Sequence, residues 1–248
     1  IELLHSFTLV HDDIMDNDTI RHGKVTIHEK WDSSTAILAG DGIYTLAQIV
    51  LNDLPENINK ISKYFNKTTL EICEGQALDK EFEHDKNVTE DMYLDMIEKK
   101  TGALLGASAV LPAIYNGEKG KLIDSYEQFG RCLGKGFQIH DDILELTADS
   151  QTMGKSLGSD ITEGKQTLMV IKARNEYPDK WNDIISSSDN QEQFNNICKF
   201  FKKTGILEES RSIANSYFNY SIDSLNNLEG VNTYELVQLV ELIKKRNY

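Results

Sequence analysis

The chain has 248 residues, 40% hydrophobic and 27% charged, with a formal net charge of −14. That balance suits a globular protein and argues against a nucleic-acid surface, where a basic stripe would stand. No apolar run approaches the roughly 20 residues of a membrane helix, so no transmembrane segment is expected. The chain opens at Ile1 rather than methionine, so the lack of a signal peptide carries little weight. Cys73, Cys132 and Cys198 are widely spaced with no CxxC pair. They read as reduced core residues of an intracellular, cytoplasmic protein.

In chain order, the first element is the aspartate-rich helical segment Val10-His11-Asp12-Asp13-Ile14-Met15-Asp16. Ile37, Leu38, Ile43, Leu46, Ala47 and Val50 recur at helical spacing, stopped by Asn52-Asp53-Leu54-Pro55. Glu81-Phe82-Glu83-His84 lies in a polar stretch and reads as a solvated turn. Thr89 followed by Glu90 and Asp91 signals a helix start, after which Met92, Met96 and Ile97 open an apolar stripe. Lys99-Lys100-Thr101-Gly102 interrupts a further apolar helix, and Asn116 to Gly120 breaks the chain. Helices are predicted for Leu122–Thr147, Gln166–Asn175, Gln191–Lys203 and Thr233–Lys245, with breaks at 150–164 and 186–190. No break is long enough for an interdomain linker, which predicts one all-α domain over residues 1–248.

The second half of α-helix 122–147 repeats the first motif: Ile139-His140-Asp141-Asp142-Ile143-Leu144-Glu145 resembles residues 10–16. On a helix, positions i and i+4 share a face, which pairs Asp12 with Asp16 and Asp141 with Glu145. Each pair is bordered by apolar residues, and like charges near a core are costly unless protonated or neutralised. A multivalent cation removes the conflict. The donors are hard carboxylate oxygens, which suits Mg²⁺ completing its shell with water and phosphate. A calcium EF-hand fails, because Arg21 stands where its loop needs glycine and Ile27 where it needs glutamate. A di-iron bundle would need two Glu-x-x-His motifs, and only 81–84 fits. Arg21, Lys100, Lys155 and Lys165 follow the acidic clusters or flank the glycine-rich turn Gly154 to Asp160, and would supply the fixed cations for a diphosphate.

This ordered set resembles the trans-isoprenyl diphosphate synthases, the polyprenyl synthetase family that contains farnesyl and geranylgeranyl diphosphate synthases. The likeness spans the whole chain and rests on the two aspartate segments, Arg21 to His28, Gly40-Asp41, Gly75-Gln76 with Asp79, Lys100-Thr101, Phe137-Gln138 and Gly154-Lys155 to Gly164-Lys165. It implies antiparallel helices around a deep central cavity (the isoprenoid synthase fold), usually as a homodimer. It also implies a prenyltransferase in which an allylic diphosphate ionises and isopentenyl diphosphate attacks the cation, with the departing diphosphate taking the proton. Asp12, Asp16 and Asp141 would then hold Mg²⁺, about three ions per site with substrate bound and Mn²⁺ as substitute. Asp13, Asp142 and Glu145 would support them. Arg21, Lys100, Lys155 and Lys165 would grip the allylic diphosphate, and Thr101 and Gln138 would lie beside the allylic carbons.

The resemblance places His5 and His22 at isopentenyl diphosphate, His22 standing where most members carry a second arginine. A Gly-Lys-Arg motif of the family would lie upstream of Ile1, so the domain is expected to lack N-terminal helices and, as it stands, to bind isopentenyl diphosphate poorly. The bulky Phe7 and small Thr8 before Asp12 resemble the chain-length floor of archaeal geranylgeranyl diphosphate synthases. Farnesyl diphosphate synthase is the alternative product reading. A class I terpene cyclase is disfavoured by the second motif and its lysines. A non-catalytic regulatory subunit is disfavoured by two intact aspartate clusters.

Overall fold

The computed structural model describes residues 1–147, 164–186, 190–226, 228 and 230–246, with only the backbone for 190 and 191. Lys155 and the glycine-rich turn 154–160 lie outside the described residues, as does most of the break 150–164.

Helix α1 (Glu2–Met15) leads into a short antiparallel hairpin, β1 (Ile20–Arg21) and β2 (Lys24–Val25), pairing Ile20 with Val25 and Arg21 with Lys24. His22 and Gly23 turn it with φ of 50° and 72°, the doubly positive signature of a tight hairpin turn. The sequence pattern gives no sign of this hairpin, because four strand residues are too few to show a period. After α2 (Ile27–Lys30), Asp32 caps α3 (Ser33–Asn52) by accepting from the Thr35 amide at 2.7 Å. Next come α4 (Ile58–Phe82) and α5 (Glu90–Ile97), the latter capped by Thr89 as its sequence predicts. A π-helical turn, Glu98–Gly102, joins α5 to α6 (Ala103–Tyr115) without a break. Then follow α7 (Lys121–Thr147), α8 (Leu168–Glu176), α9 (Pro178–Ile185), α10 (Asn190–Thr204), α11 (Ile206–Leu225) and α12 (Tyr234–Lys244). The all-α expectation holds apart from the hairpin.

The long α7 is the hub, packing on α6, the π turn and α11, while α4 lies across α6 and the π turn. The short turn 116–120 makes α6 and α7 antiparallel neighbours. Glycine permits this approach: a Cβ on Gly134 would sit 2.4 Å from the Gly102 Cα, and one on Gly130 equally close to the Leu105 carbonyl. One apolar core gathers Tyr93, Ile139, Ile143, Phe201 and Phe218; a second gathers Leu4, Ile61, Phe65 and Ala107 beneath α1, α4 and α6.

The helix expected over residues 37–50 forms, with much of its apolar side at the surface. Ile37, Leu38, Leu46 and Val50 form the predicted helix but point outward, Leu38 being 71% exposed. By length and composition alone α3 is apolar enough to cross a membrane, against the expectation of no transmembrane segment; its buried side is the small-residue face Ala36, Gly40 and Ala47. Cys73 is exposed on α4 rather than a core residue, because it lies on the same outward face as Leu70.

Candidate active site

The first aspartate segment occupies the last turn of α1. Its members do different work. Asp13 is only 6% exposed and accepts from Arg21 Nε, brought back over α1 by the hairpin. The same guanidinium reaches Asp12 and Asp18, each at 3.4 Å. Burial pushes the Asp13 carboxyl above its usual range, although the Arg21 hydrogen bond and charge oppose it. Asp12 Oδ1 is buried without a hydrogen-bond partner; Lys100 Nζ faces it at 3.3 Å as a charge neighbour without hydrogen-bond geometry. Lys100 donates instead to Asp79 Oδ2 at 2.6 Å. Burial would draw the Lys100 ammonium down, but Asp12 and Asp79 outweigh it and raise its pKa.

Asp16, just past the end of α1, has one carboxylate oxygen 3.2 Å from Lys165 Nζ and the other 3.4 Å from Lys80 Nζ. Burial would raise this carboxyl, yet the charges of Lys165, Lys100 and Lys80 together hold it below the usual carboxylate range.

The second segment repeats the division. Asp142 is 7% exposed and takes hydrogen bonds from Tyr93 Oη at 2.6 Å and Gln138 Nε2 at 3.0 Å. Gln138 in turn accepts from Thr101 Oγ1 at 2.9 Å. Asp141 is 44% exposed and faces Arg246 at 3.5 Å. Glu145 follows one turn later, half-buried. In each motif the second aspartate is buried and anchors neighbouring side chains, while the first is less buried and faces a cation, Lys100 for Asp12 and Arg246 for Asp141.

These parts meet at one cavity, lined by Asp79, Tyr93, Lys100, Gln138, Asp142 and Lys165 among others. Lys100 and Lys165 are the links, since both also reach the first segment. The π turn explains how α5 and α6 deliver Lys100 and Thr101 here. A wider turn re-aims side chains inside a continuous helix, and Gly75 of α4 lies flat against it. Among the described residues no three acidic, histidine or cysteine side chains form a ready-made metal cage. The donors nevertheless fit a hard cation: Asp12 Oδ1 is an orphaned acceptor, and Mg²⁺ needs only one or two carboxylates when phosphate completes its shell.

The remaining sequence candidates fall outside this cluster. His5 is half-exposed, 3.8 Å from Glu2, and His22 sits exposed at the hairpin tip. Phe7 packs on His11 and Tyr44, with ring centroids 4.7 and 5.2 Å apart. Thr8 bonds to its own helix through the His5 carbonyl at 2.8 Å. The stretch 81–84 is a chain reversal but not simply a solvated one: Phe82 is buried and Glu83 holds Lys80 at 2.6 Å. Sequence reading misses Tyr93 and Lys80 altogether. Tyr93 is one apolar position in a helical stripe, and Lys80 one of many lysines; only the fold shows their partners.

A sequence description of the polyprenyl synthetase family matches residues 1–201. Over its whole length the chain is 37% identical to a short chain isoprenyl diphosphate synthase of Methanothermobacter thermautotrophicus, spanning 78% of that protein. It is 47% identical to a geranylgeranyl diphosphate synthase of Methanosarcina mazei over 70% of this chain and 54% of that one. A crystal structure of a geranylgeranyl pyrophosphate synthase superposes with a TM-score of 0.92 at 31% identity, covering 100% of this chain and 79% of that one.

Proposed function

This chain belongs to the polyprenyl synthetase family, and from that premise we propose that it is a prenyltransferase that joins an allylic diphosphate to isopentenyl diphosphate and releases geranylgeranyl diphosphate. The observation that carries this reading is the Lys100 ammonium, buried between Asp12 and Asp79 at the rim of the cavity that Gln138, Asp142 and Lys165 also line. A fixed cation beside a carboxylate oxygen that lacks a hydrogen-bond donor is what a metal-bound diphosphate needs on its two sides.

In this reading Asp12, Asp16 and Asp141 hold magnesium, with Asp13, Asp142 and Glu145 in support. Magnesium, when bound, supplies positive charge that stabilises the departing diphosphate. Lys100 and Lys165 grip the allylic diphosphate from the cavity side, with Arg21 behind the first segment and Lys155 assigned from sequence alone. Thr101 donates its proton to Gln138, which leaves hydroxyl lone pairs free to face a developing allylic cation. His5 and His22 would serve isopentenyl diphosphate. The product assignment rests on Phe7 and Thr8 before Asp12, and on relatives named as geranylgeranyl diphosphate synthases.

Residues 1–248 are read as one synthase domain. The outward apolar face of α3 and α4, with Leu38, Ile49, Val50 and Leu70 exposed, is assigned to a homodimer contact, since a patch of this kind marks an interaction surface. Covering it in a dimer accounts for α3 without a membrane and suits a cytoplasmic enzyme. Incubation with Mg²⁺, isopentenyl diphosphate and each allylic primer, followed by sizing of the products, tests the whole reading. A C20 diphosphate is the expected outcome. A hydrocarbon would indicate cyclisation, and no elongated product would overturn the assignment.

A further inference from the structure

Lys80, in the last turn of α4, is a cation that the site's chemistry does not use. Its ammonium is 2.6 Å from Glu83 Oε1, 3.4 Å from Asp16 Oδ1 and 3.2 Å from the Met15 carbonyl. Met15 ends α1, so that carbonyl is one of the unpaired acceptors of a helix C-terminus, where a cation is favoured. The side chain of Asp16 is 4% exposed, and both of its oxygens face an ammonium, Lys80 on one and Lys165 on the other. A divalent ion can use Asp16 only against this positive charge.

The two lysines are not equivalent. Lys165 lines the cavity. Lys80 is absent from the lining and is tethered from behind by Glu83 and the Met15 carbonyl.

We propose that Lys80 is a positioning residue that makes metal capture at Asp16 conditional on diphosphate: it weakens binding of a free divalent ion, and the anionic ligand offsets it. The proposal rests on the reading of Asp16 as a metal ligand. This role differs from plain neutralisation, because Lys165 and Lys100 already supply charge to Asp16 and Lys80 adds another that Glu83 and the Met15 carbonyl also hold.

The test uses the whole protein with Mn²⁺ as probe, free ion being counted by electron paramagnetic resonance with and without inorganic pyrophosphate. Lys80→Met is expected to bind Mn²⁺ alone about five- to tenfold more tightly than the wild type, the effect of removing one nearby charge at partial exposure. With pyrophosphate present the gap should narrow. Lys80→Arg should match the wild type, and Lys80→Gln should reproduce Lys80→Met if the latter folds poorly. Unchanged or weaker Mn²⁺ binding by both neutral variants overturns the proposal. Asp16→Asn separates the two levels. If it leaves Mn²⁺ binding in the presence of pyrophosphate as in the wild type, the metal role of Asp16 itself fails. If it weakens that binding while Lys80→Met does not tighten capture of free Mn²⁺, only the role of Lys80 is lost.

Discussion

The Tyr93 hydroxyl donates to the carboxylate of Asp142 across 2.6 Å, tying α5 to α7 inside the buried core. Asp142 in turn takes the amide of Gln138, whose oxygen receives Thr101. The three bonds form a relay that fixes which end of the Gln138 amide meets Thr101.

Tyr93→Phe removes one donor from this relay and nothing from the apolar packing. Weakening a buried charge-assisted bond is expected to cost about 1–3 kcal/mol of stability, read from urea unfolding. With Gln138 less constrained, kcat should fall about tenfold while KM for isopentenyl diphosphate stays within about twofold. A variant that loses stability with kcat unchanged would limit Tyr93 to packing.

Asp12 and Asp13 are adjacent but should respond differently. Burial raises the Asp13 carboxyl against the pull of Arg21, so the folded state favours the neutral form more than the unfolded state does. Its charge therefore works against stability at neutral pH, and the opposition fades as pH falls through the raised value. Asp13→Asn should then keep most of the thermal stability while loosening Arg21 and raising KM for the allylic substrate. Asp12→Asn should leave the melting temperature near wild type but lower kcat by about 100-fold or more, as loss of transition-state charge stabilisation does. Thermal melts and steady-state kinetics on the pair decide the matter.

Gly75 faces the backbone of the π turn, where a Cβ would come 2.3 Å from the Lys100 nitrogen. Backbone cannot swing aside as a side chain can. Gly75→Ala should destabilise by about 1–3 kcal/mol through overpacking and displace Lys100 and Thr101, with a drop in kcat beyond the stability loss. Gly42, in α3, has open space around its Cβ position. Gly42→Ala should be neutral or stabilise by up to about 1 kcal/mol through helix propensity. Equal effects at the two positions would contradict the tight crossing.

The aspartate segments were legible because charge conflict at helical spacing is a local property, and their repetition in one chain is rare. Thr89 and the span of α7 were legible for a similar reason: caps and long amphipathic stripes are written in consecutive residues. The relay through Tyr93 was not, since it joins three elements by contacts between residues far apart in the chain. The π turn was only glimpsed as an interruption at Lys99 to Gly102, for the glycines that pack closely against it, Gly75 and Gly134, stand on other helices. The outward direction of the apolar face of α3 was not legible either. Apolar periodicity locates a helix but does not say whether its stripe meets its own chain's core.

Lys172 on α8 is buried between Glu90 of α5 and Glu209 of α11, at 3.2 and 2.7 Å. Burial alone would lower its ammonium, but the hydrogen bonds and charges of the two glutamates raise it above 10.5. A raised folded value contributes stability that is fully present below the unfolded pKa and is lost as pH rises through the folded one. Lys172→Met should melt lower than the wild type near neutral pH. The difference should shrink as pH climbs past about 10.5, measured by thermal melts in matched buffers. A gap that stays constant into strong alkali would assign the effect to packing alone.

Phe7 is the clearest handle on product length. It is wedged between His11 and Tyr44, and Tyr44 in turn stacks on the buried Phe65 at 6.4 Å. This aromatic column runs from α1 through α3 to α4, below Asp12, where the proposed reading places a growing tail anchored at its diphosphate end. Phe7→Ala removes the top of the column while Tyr44 and Phe65 remain, so products should lengthen by one or more isoprene units. The half-buried ring should cost only about 1–3 kcal/mol of stability, less than a fully buried one. Thr8 is held by its own helix through the His5 carbonyl, and Thr8→Phe should push a ring into the same passage and shorten the product toward farnesyl diphosphate. Chromatographic sizing of the products of both variants checks the pair. Opposite shifts establish a floor, whereas an unchanged distribution in Phe7→Ala leaves that ring as core packing only.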